Sequence, residues 1–326
     1  MTAHDLVIGP LRARRGRTAR GSIRADLGTT TADIPVVLVN GARPGPRLVL
    51  TAGVHGGEFV GIDAANRLHA ELRPAELRGQ VVICPVANPL ASYAGRLGTT
   101  ALDGVNINRV FPGDPHGTPT ERMADWLFGN VIAGADAYAD LHSGGIDETL
   151  RDFVGYRRTG DDALDERSRR MADAIGFADV IVGDTAEGGN SHAAAARRGI
   201  PAVLVECGQL GERSAATTDR LLHHLGRLLD HLGITENGTP AARPETIRRW
   251  RWAAGEKADA TGLWYPEFAA GDDVEAGQAI GRIVDPANGD ERKVLASATG
   301  RIFYAMHGLT VTPGAELAAI AAPGQH

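Results

Sequence analysis

The chain has 326 residues, 43% hydrophobic, 23% charged and 5% aromatic, with a formal net charge of −6 at pH 7. That size suits one large domain and a smaller one, the negative balance argues against a general nucleic-acid binder, and no apolar run approaches the roughly 20 residues of a membrane-spanning helix. Two cysteines, Cys84 and Cys207, lie within apolar runs; they exclude a disulfide scaffold and, with charge in place of an apolar signal core near the N-terminus, lead us to expect a cytoplasmic protein with no membrane partner.

Residues 1–45 read as short extended segments broken by Gly and Pro, with Arg12, Arg14, Arg15, Arg17 and Arg20 on a solvated strand face. Leu48–Val54 is a short apolar run, the signature of a buried strand. A helix is expected over Glu58–Leu72, where Ile62, Ala65, Leu68 and Leu72 recur at helical spacing. Val81–Val86 forms the next buried strand, and Thr118-Pro119-Thr120-Glu121 opens a helix with a capping box. Strands at Ala137–Leu141, Val180–Val182 and Ala202–Val205 alternate with helices at Asp162–Ile175 and Ser191–Arg198. A long helix follows, with Leu221, Leu222, Leu225, Leu228, Leu229 and Leu232 on one stripe. Such alternation predicts an α/β sheet covered on both faces. A polar Gly/Pro linker ends a first unit at 1–240, and residues 245–326 read as a separate, turn-rich, all-β unit of barrel-sandwich type. Lys293 lacks the setting of a carrier lysine, so this unit is expected to be structural or site-covering.

Four chemically capable residues cluster at predicted strand ends. His55 and Glu58 follow the strand ending at Val54, His142 follows Leu141, and Glu206 follows Val205. Ligands of open α/β sheets bind beyond the carboxyl ends of strands, so these four are expected to converge. Alone, His55-x-x-Glu58 says little, since about one His-x-x-acid pair arises by chance in this composition. Its setting, TAGVHGGEFVG, is more telling, because Gly53, Gly56 and Gly57 let backbone approach closely. Two histidines and a glutamate suit a tetrahedral zinc with one position left for water.

HGGE at 55–58, NINRVFPG at 106–113, DLHSGG at 140–145 and VECG at 205–208 occur in this order. Together they resemble the succinylglutamate desuccinylase/aspartoacylase family of the zinc carboxypeptidase superfamily, over roughly residues 45–235. The stretch Ala87-Asn88-Pro89 followed by Asp103–Gly113 is most similar to its N-acetyl-diaminobutyrate deacetylase-like members. The resemblance implies a carboxypeptidase-like mixed sheet flanked by helices and one Zn²⁺ per chain held by His55, Glu58 and His142. It further implies Glu206 as general base, Asn108 and Arg109 as binders of a substrate carboxylate, and a small N-acyl amino acid as substrate. Asp140 is either a partner of His142 or a buried structural acid. Relatives usually carry an arginine just ahead of the DG element to stabilise the oxyanion; here 98–102 hold none, and Arg96, the nearest, is the catalytic candidate for that role. Gln209-Leu210-Gly211 also departs from the family pattern.

The implied activity is zinc-dependent hydrolysis of a linear amide. A metallocarboxypeptidase acting on short peptides uses the same parts, and a non-catalytic binding protein of this fold is a third reading; self-association stays open. No G-x-S-x-G elbow surrounds Ser143 or Ser191, which argues against a serine hydrolase. Cys207 reads as packing, His223, His224 and His231 as solvated flanks of the leucine-rich helix, and His192, near the crevice, as either a helix-start residue or a substrate contact.

Overall fold

A computed structural model describes residues 5–95, 98–236, 244 and 246–324. A small hairpin of β1 (Leu6–Ile8) and β2 (Leu11–Ala13) precedes two ten-residue strands, β3 (Arg17–Asp26) and β4 (Thr31–Asn40), paired antiparallel from Arg17↔Asn40 to Asp26↔Thr31. The expectation of short broken segments is corrected here. Gly21 lies inside β3, and Pro35 precedes Val37, where β4 gains its second neighbour, so its missing N–H costs no bond on that side.

Strands and helices then alternate: β5 (Arg43–Ala52), α1 (Phe59–Glu71), β6 (Arg78–Cys84), α2 (Pro89–Ala94), a single 3₁₀ turn at Ile107–Arg109, and α3 (Pro119–Leu127). β7 (Ala137–His142), β8 (Glu148–Leu150), β9 (Phe153–Arg157), α4 (Asp162–Ile175), β10 (Asp179–Gly183), α5 (Ser191–Arg197), β11 (Ala202–Glu206) and α6 (Ala215–His231) follow. The expected capping box is formed: Glu121 N–H donates to Thr118 Oγ1 and Thr118 N–H to the Glu121 carboxylate. The C-terminal segment contains β12 (Arg248–Lys257), β13 (Gly262–Pro266), β14 (Asp273–Val274), β15 (Ala279–Val284), β16 (Glu291–Leu295), β17 (Gly300–Met306), β18 (Thr310–Val311) and β19 (Glu316–Pro323).

One large mixed sheet runs β14-β17-β19-β12-β10-β9-β11-β7-β5-β6-β4-β3. β6, β5, β7 and β11 are mutually parallel, whereas β9 pairs antiparallel with β11 and parallel with β10. The carboxyl ends of β5, β7 and β11 therefore open at one edge, where such sheets bind ligands. Period-2 alternation divides the side chains between two cores. Leu48, Leu50, Ala139, Leu141, Val203 and Val205 face α1, α4 and α6. Val49, Val82, Tyr138 and Ala202 face α3, α5 and the N-terminal strands.

The C-terminal strands have their own core around Trp264, Ile283, Leu317 and Ile320. β12 joins the main sheet by pairing parallel with β10. Buried Asp179 fastens that junction by accepting from Arg151 Nε at 2.7 Å, Arg248 Nε at 2.9 Å and Trp250 Nε1 at 2.8 Å. Lys293 lies within β16, opposite Arg282, rather than at a hairpin tip. On α6, His224 is no solvated flank: its Nδ1 donates to the Ile175 carbonyl at 2.6 Å, and its ring packs edge-on against Phe177. Among the described residues, no helix is long and apolar enough to cross a membrane.

Candidate metal centre and substrate cavity

The loop between β5 and α1 carries His55 and Glu58. Gly53 adopts a left-handed backbone (φ +63°), and a Cβ on Gly56 would lie 2.4 Å from the Ala91 carbonyl oxygen, so the turn passes too close to α2 for any side chain there. Glu58 occupies the N-cap position of α1, yet its carboxylate caps nothing. It reaches outward instead, with Oε1 2.6 Å from His55 Nδ1 and Oε2 2.7 Å from His142 Nδ1. Gly61 permits this, because a Cβ there would stand 2.9 Å from the Leu141 carbonyl and push α1 off β7.

Each histidine is anchored through its other nitrogen. His142 Nε2 is 2.9 Å from Asp140 Oδ2, and His55 Nε2 is 3.0 Å from Asn106 Oδ1. Each ring thus has an oxygen at both nitrogens, and the acceptor at Nε2 would hold the ring proton when Nδ1 gives its lone pair to a metal. The ligand atoms of His55, Glu58 and His142 all lie within 4.8 Å of one another. Two neutral imidazole nitrogens and a carboxylate form a fitting donor set for zinc.

Asp140 is fully buried and also accepts from Thr51 Oγ1 at 2.6 Å and from Ser191 Oγ. Burial opposes its ionisation, but His142, Ser191 and Thr51 outweigh that and hold its pKa below the usual carboxylate range. Of the two readings open from sequence, the geometry therefore favours a partner of His142. Glu58 behaves alike: burial opposes its charge, yet the two histidines hold it down at about 2.

Glu206 ends β11 directly opposite His142 in the register of β7, so the two side chains share a face. Its Oε2 is buried and has no hydrogen-bond partner among the described residues. Burial, reinforced by Glu58, Glu148 and Asp140, raises its pKa well above the ordinary value despite His142. Strand order thus brings together four residues spread over 151 sequence positions, as expected.

These side chains line one cavity of about 700 Å³, together with Asn108 and Arg109. Asn108 is buried, with Oδ1 accepting from Ser191 N–H at 2.9 Å, while Arg109 lies at the exposed margin and donates to the Asn108 carbonyl at 3.0 Å. Arg96 falls outside the described residues. Segments around 88–120 and 145–160 and the C-terminal unit are expected from sequence to shape the pocket, but the wall residues Glu148 on β8, Arg157 on β9, Trp252 and Tyr304 are not singled out by it. Two of these, Trp252 and Tyr304, come from the C-terminal β segment, in keeping with the site-covering alternative expected for it.

A family model, the succinylglutamate desuccinylase/aspartoacylase catalytic domain, matches residues 44–232. The chain belongs to this family. Among its relatives is the N-alpha-acetyl-L-2,4-diaminobutyric acid deacetylase of Halomonas elongata, 34% identical over 259 residues, or 77% of this chain and 74% of the relative. The crystal structure of a family member from Rhodobacter sphaeroides superposes with a TM-score of 0.83 at 27% identity, covering 95% of this chain and 96% of that one. The product-bound ectoine utilization protein of Ruegeria pomeroyi gives the same TM-score, 0.83, at 23% identity, covering 94% and 95% of the two chains, a likeness of fold. Both alignments extend beyond the catalytic segment into the C-terminal strands, so the mixed sheet and the appended β region are features of the family fold.

Proposed function

We propose that this protein is a zinc-dependent amidohydrolase that removes the acyl group from a small N-acyl amino acid. The observation that carries the reading is the meeting of His55 Nδ1, His142 Nδ1 and the Glu58 carboxylate, within 4.8 Å, beside the uncommitted Glu206 Oε2. The 34% identity to a diaminobutyric acid deacetylase supports it.

Zinc held by His55, Glu58 and His142 would supply Lewis acidity, lowering the pKa of a water and polarising the scissile carbonyl. Glu206 takes the proton of the attacking water and returns it to the leaving amine nitrogen, a role suited to a carboxylate made more basic by burial. Asn108 and Arg109 bind the amino acid's carboxylate, a planar anion matched by a guanidinium fork. Asp140 keeps His142 oriented. Residues 1–240 form the catalytic unit in this reading, while 245–326 contribute the Trp252 and Tyr304 wall.

Metal content and acetate release from N-acetyl-L-2,4-diaminobutyrate are measured for wild type and Glu206→Gln. Wild type is expected to hold about one zinc and to turn over; the variant keeps zinc and loses about 10²–10⁴-fold in rate. A zinc-loaded wild type that cleaves dipeptides but no N-acetyl amino acid is instead a carboxypeptidase. A wild type that binds no zinc refutes the metal assignment and leaves a binding protein.

A further inference from the structure

The family motifs provide one guanidinium at the carboxylate end of the cavity, Arg109, and the fold adds a second. Arg157 is the last residue of β9, on the same face as Phe153 and Gly155, which pair with Glu206 and Leu204 of β11. Gly155, Leu204, Glu206 and Arg157 line the same cavity. Gly183 is the register partner of Arg157 on β10, and a Cβ there would sit 2.4 Å from Arg157 Cδ, so the side chain lies directly across the glycine. Its Nη2 donates to Asn190 Oδ1 at 3.3 Å, and Asn190 Nδ2 donates to the Asn108 carbonyl at 2.9 Å. Arg109 donates to that same carbonyl, so both guanidiniums are tied to one short segment.

The charge balance there is incomplete. Arg157 makes no ion pair with an acid among the described residues, and burial followed by repulsion from Arg109 destabilises its charge. His192 is 5% exposed, lines the same cavity, and has an Nδ1 with no hydrogen-bond partner among the described residues. Burial, with Arg157 and His142 nearby, pushes it down to about 3, so it is a neutral imidazole. A half-buried cation without an acid partner, beside a buried imidazole nitrogen with no hydrogen-bond partner, is costly unless an anion from the cavity completes it.

We propose that Arg157 is the inner, half-buried arm of a two-arginine clamp that, with Arg109, holds the carboxylate of the leaving amino acid beside His192. This deepens the deacylase reading and rests on it for the identity of the substrate. Arg157 is assigned as a specificity-determining residue.

The test compares a carboxylate with its carboxamide on zinc-loaded wild type, Arg157→Gln, Arg157→Lys and Gly183→Ala. Turnover is read with N-acetyl-L-2,4-diaminobutyrate and its carboxamide, and equilibrium binding by calorimetry with L-2,4-diaminobutyrate and its carboxamide. Wild type is expected to favour the carboxylate in both. Arg157→Gln should lower that preference about 10–100-fold, the loss of one charge-assisted hydrogen bond, and Arg157→Lys should restore part of it. Gly183→Ala retains the guanidinium but displaces it, and should lose the preference too, which covers a misfolded Arg157→Gln. Equal losses on both compounds, an unchanged ratio, or no carboxylate binding by wild type would each overturn the clamp. If wild type hydrolyses neither compound while carboxylate binding still depends on Arg157, the deacylase reading falls and the clamp stands.

Discussion

Asp140→Asn separates metal support from simple core packing. The wild-type carboxylate is fully buried and receives three donors: Thr51 Oγ1 at 2.6 Å, Ser191 Oγ, and His142 Nε2 at 2.9 Å. An asparagine has nearly the same shape. Its amide oxygen can keep Ser191 and His142, while the Thr51 hydroxyl, already 2.6 Å from Tyr138 OH, can turn to accept from the new N–H. The fold loses little, because the buried charge disappears while each of its donors keeps a partner. The main loss is electrostatic: His142 now donates to a neutral oxygen, and the basicity of Nδ1 falls. Partners of this kind typically contribute 10–100-fold in metal affinity, about 1.4–2.7 kcal/mol. Chelator-competition titration with zinc at neutral pH reads the affinity, and thermal unfolding of metal-free protein reads the fold. We expect zinc binding weakened by that factor and a melting temperature within a few degrees of wild type. Affinity within about threefold of wild type would refute the argument and return Asp140 to the role of a structural acid.

Three further outcomes are expected. Burial, despite the bond to Ile175, pushes His224 down to about 4, against about 6.5 in an unfolded chain; the unfolded state therefore binds the proton first on acidification. Stability from this residue is complete above pH 6.5 and declines between 6.5 and 4 by roughly 2–3 kcal/mol, so His224→Gln should flatten that limb of a urea-denaturation series against pH. Gly56→Ala sets a Cβ against the Ala91 carbonyl at 2.4 Å, forcing backbone to move; a drop of at least about 2 kcal/mol in stability together with weaker zinc binding is expected, and a wild-type melt would show that the turn has room to spare. Burial pushes both thiols, Cys84 and Cys207, up to about 12; a disulfide reagent at pH 8 should modify neither in the native protein within an hour and both after denaturation, and fast native labelling would contradict the packing.

What the sequence determined by itself is whatever depends on neighbours along the chain. Helix α4 spans Asp162–Ile175 as expected, and its stops are local: Asp161 caps it and Gly176 takes the left-handed turn that ends it. Strands β5, β7 and β11 were legible as short apolar runs, and ordered motifs at their ends carried His55, Glu58, His142 and Glu206. Local pattern failed where a residue's meaning depends on a distant strand. Pro35 and Gly21 looked like breaks, yet the pairing of β3 with β4 spans both. Arg157, in a charged stretch followed by RTGDD, gave no sign of facing a cavity, because only the insertion of β9 beside β11 and β10 turns its face that way. Trp252 and Tyr304 join the cavity wall through pairings of β12 and β17 with β19, about a hundred residues or more beyond the histidines. Asp140 could not be assigned from its two-residue offset to His142, since that offset gives a shared face and nothing more; Thr51 and Ser191, brought in by β5 and α5, decided where its carboxylate points. Periodicity and capping are local energies that a sequence displays directly, whereas the partner of a buried charge is chosen by strand order, which is decided by the fold as a whole.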